Sequence, residues 1–484
     1  MRENGLMMQY FEWYMNDDGG LWKALKADAS HLKEIGISAV WIPPCCKATG
    51  TNDVGYGVYD VYDLGEFDQK NTIRTKYGTR QELHEAIEEL HENGIQVYAD
   101  IVINHKAGAD ETEKIRVVEV DPEDRRTFIT EEYEIEAWTK FTFPGRKGKY
   151  SDFTWSWEHF SGTDFNNANG KKANYLIVGE NKNWMQGVSY EKGNYDYLMF
   201  ADIDYNHPRV REETFKWINW FVSETKVDGF RLDAIKHIND WFMRDFVNHI
   251  RQTLGQDFFC SGEYWSPERS KLENYMRNTD YQIALFDVPL HFKFFQASLS
   301  GKDFDMRLIF DQTLVKEHQN IVVTFVDSHD SQPQESLQSF VAAWFKLLAY
   351  ALILLRKDGY PVIFYGDYYG ISGSNPVPGR KDQLDLLMRI RRENAYGEQF
   401  DYFDHRNIVG WIRAGDAQHP HGCAVIMSAG DAGEKTMFVG EMHAGEVWAD
   451  KMGFNPNKVT IDEKGQGVFK TEAGSVSVYV LEGN

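Results

Sequence analysis

Two kinds of segment alternate along this 484-residue chain, and the alternation leaves few folds open. Short runs rich in β-branched and aromatic residues are followed by longer amphipathic runs over most of the first 395 residues, a pattern typical of βα units. The β-rich runs are LMMQYFEW, ISAVWIPP, IQVYADIVINH, DGFRLDAIKH, DFFCSGEYW, YQIALFDV, NIVVTFVDSHD and YPVIFYGD. About eight such units predict an α/β fold, the closed parallel (β/α)8 or TIM barrel.

The alternation fails in two places. Residues 104–206 are rich in charge, glycine and aromatic side chains, which predicts a β-rich domain inserted after the third strand. Beyond about Tyr396 the helical period disappears, and runs such as NIVGWIRAG and SVSVYVLEG predict a C-terminal antiparallel β-sandwich domain. The predicted division is therefore 1–103 with 207–395 for the barrel, 104–206 for the insertion and 396–484 for the C-terminal domain.

Charge and composition exclude several classes of protein. The chain has 52 Lys and Arg against 74 Asp and Glu, a net charge of −22, so we expect no nucleic-acid or membrane partner. An aromatic content of 14% excludes wholesale disorder. Four cysteines without framework spacing exclude a disulfide scaffold and indicate a reducing compartment. The start MRENGLMMQYFEWYM lacks the features of a secretory signal, so we expect a cytoplasmic monomer, with a secreted protein lacking its signal as the alternative.

Polar residues stand where four of the predicted strands end, which is where parallel barrels place their working groups. These residues are Asp100, Asn104 and His105 after the third strand, Arg231, Asp233, Lys236 and His237 after the fourth, Glu263 and Trp265 after the fifth, and Asp327, His329 and Asp330 after the seventh.

Three of these side chains, Asp233, Glu263 and Asp330, should meet at one mouth of the barrel. Like charges so placed cannot all ionise freely, so the pKa of one carboxyl rises and an acid stands beside a nucleophile. Retaining glycoside hydrolysis needs such a pair about 5 Å apart. Each acid alone could be a loop cap or a surface charge, but the joint placement favours catalysis.

Basic side chains accompany these acids. Arg231 lies two residues before Asp233 on the same strand face and could hold that carboxylate ionised. His105 and His329 are donors suited to sugar hydroxyls, although histidines at two strand ends could also indicate a zinc site.

The segments DIVINH, GFRLDAIKH, GEYW and FVDSHD, in this order, resemble the signature segments of the α-amylase superfamily of glycoside hydrolases. The resemblance extends to LMMQYFEWYM, DVGYGVYDVYDLGEFDQK and GNYDYLMFADIDYNHP, and so covers nearly the whole chain. It is closest to the liquefying bacterial α-amylases and their cytoplasmic relatives. Seven such motifs in sequence are far more specific than any one of them.

The resemblance implies a role for each matching residue. Asp233 would be the nucleophile, Glu263 the general acid and then base, and Asp330 the carboxylate that grips substrate hydroxyls. Arg231 would position Asp233. Further sugar contacts would come from His105, His329, Tyr56, Lys236, Trp265 and Trp13.

The family also implies a calcium ion between barrel and insertion. Asn104, Asp196 and Asp202 supply side-chain oxygens from both edges of the insertion, and the backbone carbonyl of His237 could complete the shell. Hard oxygen ligands suit calcium better than zinc or copper. The alternative is that GNYDYLMFADIDYN is an acidic loop with ordinary turn residues.

The sequence departs from the family pattern at three positions. Ser161 and Met185 stand where secreted relatives carry acids that hold an additional metal cluster, so we expect a single calcium ion. Ser328 replaces the usual asparagine beside His329, which could alter hydrogen bonding there without removing Asp330.

The leading functional hypothesis is an endo-acting, retaining α-amylase that cleaves internal α-1,4-glucosidic bonds of starch, glycogen or maltodextrins through a covalent glycosyl-enzyme. A glucanotransferase of the same superfamily, which moves the glucosyl unit to another sugar, is the alternative. A non-catalytic glucan-binding protein is a third possibility, but such proteins usually lack one or more of the acids that this chain retains.

Overall fold

Eight parallel strands close into a barrel in the computed structural model, which describes residues 4–483. The strands are Met7–Gln9, Ala39–Ile42, Gln96–Ile101, Gly229–Leu232, Phe259–Gly262, Ala284–Phe286, Val322–Phe325 and Tyr360–Phe364. Each lies within one of the eight β-rich runs of the sequence, so the predicted (β/α)8 barrel is confirmed. The carboxyl ends of these strands therefore meet at one mouth.

The α-helices of the described residues are Leu21–Glu34, Arg80–Glu92, Pro208–Thr225, Asp240–Leu254, Arg269–Asn278, Val288–Ser300, Leu314–Glu317, Lys346–Leu354, Tyr365–Tyr368 and Lys381–Asn394. The second begins with a capping box, in which Thr79 and Glu82 each accept a hydrogen bond from the other's backbone N–H. The helix Val288–Ser300 was not predicted, because VPLHFKFFQASLS is apolar around most of its circumference and shows little amphipathic period.

The insertion forms a six-stranded antiparallel sheet. Its strands are His105–Lys106, Glu111–Val120, Tyr133–Lys140, Phe160–Asn166, Lys171–Ile177 and Ala201–Ile203. The first and last of these pair directly, with Asp202 opposite His105, so the two edges of the insertion meet beside the third barrel strand. Smaller two-stranded sheets join Lys47–Ala48 to Val58–Asp60 and Gly370–Ile371 to Val377–Pro378.

Two antiparallel sheets form the C-terminal part, as predicted for a β-sandwich. The larger contains Gln399–Tyr402, Ile408–Arg413, Cys423–Ser428, Val447–Asp450, Val459–Thr460 and Val476–Leu481, and the smaller contains Gly433–Phe438 and Gln466–Thr471. Buried side chains between them include Ile412, Ile426, Met437, Trp448 and Phe469. The domain division at residues 103, 206 and 395 remains a prediction, and its terminal residues 1–3 and 484 lie outside the described residues.

Cys45, Cys46, Cys260 and Cys423 are all buried free thiols. None of the helices within residues 4–483 has the length and apolar character needed to cross a membrane.

Candidate active site

Arg231, at the end of the fourth barrel strand, gathers the three predicted acids around its guanidinium. Its Nη1 lies 2.6 Å from Asp233 Oδ1, and its Nη2 lies 3.4 Å from Glu263 Oε2 and 3.9 Å from Asp330 Oδ2. The arginine is only 1% exposed. The structure thus brings three carboxyls from three strands within reach of one buried cation.

A fourth carboxylate, Asp100, shares Nη1 of this guanidinium with Asp233. Asp100 lies opposite Arg231 in the register of the third and fourth strands, and Nη1 of the arginine is 3.0 and 3.1 Å from its two oxygens. Trp41 Nε1 and Tyr56 Oη also donate to Asp100, at 3.0 and 2.9 Å. Our sequence reading placed Asp100 at a strand end but assigned it no role, and the strand register is the signal that would have found it.

Burial is the main cause of the pKa shifts among the carboxyls of this cluster. Burial raises the pKa of Glu263 to about 7, with Arg231 opposing and Asp233 adding to the shift. Burial and the nearby Glu263 raise the pKa of Asp330 well above its usual range. Burial also raises the pKa of Asp100 to about 6, against the effect of Arg231. Glu263 can therefore hold a proton near neutral pH, as a general acid must.

An aromatic stack stands beside the acids. The Tyr56 ring lies parallel to those of His329 and Trp13, with centroids 5.2 and 5.8 Å apart. Gln9, at the end of the first strand, donates through Nε2 to His329 Nδ1 at 2.9 Å. The other ring nitrogen, Nε2, lies 3.3 Å from Asp330 Oδ2. Burial and Arg231 lower the pKa of His329 well below its usual range, so the ring is neutral.

His105 is buried and both of its ring nitrogens are engaged. Nε2 donates to the backbone carbonyl of Tyr56 at 2.8 Å, and Asn104 Nδ2 lies 3.3 Å from Nδ1. This geometry makes His105 a support for Tyr56. Its predicted contact with a sugar hydroxyl stays a prediction.

Lys236 links the fourth and fifth strand ends to the insertion. Its Nζ donates to Glu191 Oε2 at 2.9 Å and to the backbone carbonyl of Trp265 at 3.0 Å. Trp265 is half-buried, with its ring 5.6 Å from that of His291. Glu191 was not predicted, because no motif in the sequence marks it.

The loop after the seventh strand accommodates Ser328. The Ser328 hydroxyl accepts a hydrogen bond from the Asp330 N–H at 3.2 Å. Asp327, a further acid of this loop, is instead structural, since it accepts from Ser331 Oγ at 2.6 Å and forms a buried ion pair with Lys346. The serine at position 328 therefore still supplies an acceptor that holds Asp330.

Asp196 and Asp202 are buried carboxylates at the edge of the inserted sheet. The Met185 N–H donates to Asp196 at 2.8 Å, and the Ser161 hydroxyl donates to Asp202. Burial raises the pKa of Asp196 to about 7, and burial together with Asp196 raises that of Asp202 well above its usual range. Neither forms an ion pair with Lys, Arg or His within residues 4–483. Two buried carboxylates that lack a cationic partner fit a bound cation.

The other predicted ligands lie close to these acids. The backbone carbonyl of Asn104 accepts from Ile203 N at 3.0 Å, directly beside Asp202. His237 Nδ1 donates to the carbonyl of Tyr195, the neighbour of Asp196, at 2.7 Å. In the described part of the chain, no three His, Cys, Asp or Glu side chains group as a metal site. A cation here would need amide and carbonyl oxygens as well, a donor set that suits calcium.

Comparison with known proteins identifies the family. Residues 9–427 match the α-amylase family, described as the α-amylase catalytic domain. The chain is 52% identical to glucan 1,4-α-maltohexaosidase of Bacillus sp. (strain 707) over 99% of this chain and 92% of that protein. It is 51% identical to α-amylase of Bacillus licheniformis, over 99% and 93% of the two chains. It is 43% identical to cytoplasmic α-amylase of Escherichia coli (strain K12), over 99% of both.

Solved structures agree on the fold. The α-amylase of Geobacillus thermoleovorans in complex with acarbose superposes with a TM-score of 0.67 at 18% identity, over 100% of this chain and 99% of that one. An Anoxybacillus α-amylase gives 0.66 at 17% identity, over 99% and 98%. With the match over residues 9–427 and relatives at 43–52% identity, the chain belongs to the α-amylase family of glycoside hydrolases.

Proposed function

We propose that this protein is an endo-acting, retaining α-amylase that hydrolyses internal α-1,4-glucosidic bonds of starch, glycogen or maltodextrins. The observation that carries the proposal is the cluster of Asp233, Glu263 and Asp330 around Arg231, in which Glu263 has a pKa of about 7. The names of the relatives, three α-amylases and a maltohexaosidase at 43–52% identity, support the same activity.

In the first step, Glu263 gives its proton to the glycosidic oxygen while Asp233 attacks the anomeric carbon. The bond to the leaving oxygen breaks, and a covalent glycosyl-enzyme forms on Asp233. Arg231, 2.6 Å from Asp233, orients that carboxylate. In retaining enzymes the carboxyls of the nucleophile and the acid are about 5 Å apart, and two carboxyls that contact one guanidinium are compatible with that separation.

In the second step, Glu263 is a carboxylate and takes a proton from water, which attacks the anomeric carbon and releases Asp233. Two inversions at one carbon retain the α configuration. Asp330, with His329 beside it, would grip hydroxyls of the bound sugar. Tyr56 and Trp13 offer ring faces for stacking beneath it.

One calcium ion would be held by Asn104, Asp196, Asp202 and the backbone carbonyl of His237. When bound, it would neutralise the buried carboxylates and join the insertion to the barrel. The hydroxyl of Ser161 and the amide of Met185 already donate to these carboxylates, which supports a single ion without an additional cluster.

We place the enzyme in the cytoplasm, as a monomer that acts on α-glucans without nucleic-acid or membrane partners. The four buried free thiols and the similarity to the cytoplasmic α-amylase of Escherichia coli support this location. The charge of −22 supports the exclusion of polyanionic partners.

The decisive assay incubates the protein with soluble starch and maltooligosaccharides and follows reducing ends and product lengths. A hydrolase raises the number of reducing ends from the start, and the new ends appear as α-anomers by NMR. Redistribution of chain lengths at a constant number of chains would instead establish the glucanotransferase. New ends that first appear as β-anomers would reject the retaining mechanism.

A further inference from the structure

A second pocket lies at the end of the barrel opposite the catalytic acids. It has a volume of about 730 Å³ and is lined by Gly5, Asn320 and Gly359, which precede the first, seventh and eighth strands. Since parallel strands all begin at one end of the barrel, this is the amino-terminal face. The end of helix Lys381–Asn394 and the start of the C-terminal sheets complete the walls.

Two buried arginines, Arg391 and Arg413, line this pocket, and each is 5% exposed. Arg391 donates to the carbonyls of Leu354 and Gly5, but its Nε has no hydrogen-bond partner among residues 4–483. Arg413 donates through Nη2 to the carbonyl of Gly397 at 3.3 Å, while its Nε and Nη1 have no partner in the described part of the chain. Three N–H-bearing nitrogens of two buried guanidiniums are thus unsatisfied.

No carboxylate of the described residues forms an ion pair with either arginine. Among the lining residues, Asp416 is an exposed acid whose carboxylate already accepts from the N–H groups of Gln418 and His419, whereas Lys357 adds a further positive charge. Burial and the neighbouring Arg413 lower the pKa of Arg391 to about 9. Asp358 attracts Arg413 from beyond ion-pair distance, but it leaves the unused donors of both arginines without a partner among residues 4–483. Buried guanidiniums with unused donors are unfavourable unless an anion binds.

We propose that this pocket binds the phosphate group of a small polar molecule, held by Arg391 and Arg413. Guanidinium groups present forked N–H donors that match phosphate oxygens, and here the unused donors belong to side chains that are already fixed. The proposal concerns binding at the amino-terminal face and is independent of the hydrolytic site.

The remaining lining suggests what carries the phosphate. A volume of about 730 Å³ greatly exceeds that of a phosphate ion. The side chains of Asn4, Gln319, Asn320 and Tyr396 also line it and offer amide and phenol groups for neutral hydroxyls. A sugar phosphate and inorganic phosphate share the recognised group, and they are the two sources to compare.

Binding can be measured by isothermal titration calorimetry and thermal unfolding with inorganic phosphate and with glucose 6-phosphate. Ionic strength is matched with NaCl, and free calcium is held constant. Either phosphate compound should raise the melting temperature in a concentration-dependent way that NaCl does not reproduce. Tighter binding of glucose 6-phosphate by about tenfold would assign a sugar phosphate, and equal affinities would assign the free anion. No saturable binding of either compound would overturn the proposal.

Variants locate the site. Arg413→Met should weaken phosphate binding at least about tenfold and leave starch hydrolysis unchanged. Without phosphate its melting temperature should equal or exceed that of the wild type, because an unpaired buried charge has been removed. Arg413→Lys keeps the positive charge but loses the forked N–H donors of the guanidinium. It tests the role of Arg413 in phosphate binding if the methionine variant does not fold. Arg406→Met, at an exposed arginine, is the control. Wild-type phosphate affinity in both Arg413 variants would refute the assignment.

Discussion

At the scale of single residues, one guanidinium organises the chemistry. Arg231 contacts Asp233, Glu263 and Asp100 within 3.4 Å while it is almost completely buried. Burial is the main cause of the raised pKa values of Glu263, Asp330 and Asp100, and Arg231 opposes it in each case. With its pKa raised to about 7, Glu263 can hold a proton near neutral pH, and Asp233, the proposed nucleophile, lies closest to the arginine.

Replacing Glu263 with Gln tests the assigned acid. The amide keeps the shape of the side chain but carries no acidic proton, so kcat should fall by about 10² to 10⁴. Maltooligosaccharide binding, measured by calorimetry, should persist. Glu268→Gln, at an exposed carboxyl five residues later, is the matched control. Turnover near the wild-type level in Glu263→Gln would remove this residue from the mechanism.

The pKa of Glu263 should determine the alkaline limb of the kcat/KM profile, because the acid must be protonated to act. Activity should therefore fall as pH rises through about 7. Lys236 lowers the pKa of Glu263, so Lys236→Met should move this limb to higher pH by a few tenths of a unit. Lys271→Met, which also loses an ion pair with Glu191, should leave the limb in place. If the alkaline limb of Lys236→Met stays in place or moves to lower pH, the assignment of this limb to Glu263 is wrong.

At the scale of elements, the two-residue strand His105–Lys106 joins cleft and insertion. Its second residue, Lys106, is 2% exposed, and its Nζ has no hydrogen-bond partner within residues 4–483. The rings of Phe141, Phe143 and Trp155 surround Nζ, with centroids 5.2 to 5.5 Å away. Burial lowers the pKa of Lys106 to about 8, which means that cation–π contacts do not fully replace the lost hydration.

Lys106→Met should therefore raise the melting temperature at pH 7 by about 3 °C. In the wild type the folded pKa, about 8, lies below the unfolded value, 10.5. The unfolded state thus binds more protons between these values, and stability increases as pH rises through this window. The methionine variant should lack that increase, measured by thermal unfolding from pH 7 to 10.5. Lys114→Met, at an exposed lysine of the same sheet, is the control. A Lys106→Met protein with a lower melting temperature than the wild type would contradict this prediction, because it would show that the buried charge has a net stabilising effect.

At the scale of the whole molecule, the edges of the insertion are tied to the barrel. Asp202 lies opposite His105 in the strand pair that joins the two edges of the insertion, and His105 follows the third barrel strand. Lys236, after the fourth barrel strand, donates a hydrogen bond to Glu191 of the insertion. The proposed calcium ligands lie at this same junction, so loss of the ion should loosen the wall of the cleft.

Chelation should therefore lower the melting temperature, and added calcium should restore it. Asp202→Asn should unfold at a lower temperature than the wild type in calcium and respond little to a chelator, because one ligand carboxylate is gone. Asp164→Asn, at a half-buried acid of the same sheet, should keep the full response. If neither a chelator nor added calcium changes the melting temperature of the wild type, the proposed calcium site is wrong.

Much of the architecture and the acid trio could be predicted from sequence, because the signals are local. The period of 2 in strands and 3.6 in helices repeats along the chain, and Asp233, Glu263 and Asp330 stand directly after recognisable strands. The helix Val288–Ser300 was not predicted, because its apolar residues show little helical periodicity. The pairing of Asp100 with Arg231 was not predicted, because it depends on which residue lies opposite Asp100 in the next strand.

The sequence by itself determined the barrel, the inserted and C-terminal sheets, and the residue types at the strand ends, since each depends on neighbours in the chain. Tertiary structure alone decided which charges share a guanidinium, which side chains surround His329, and that no carboxylate within residues 4–483 forms an ion pair with Arg391 or Arg413. Such facts depend on burial and on contacts between residues far apart in the chain. Burial is what turns an ordinary carboxyl, lysine or arginine into a group with an altered pKa or an unmet hydrogen bond.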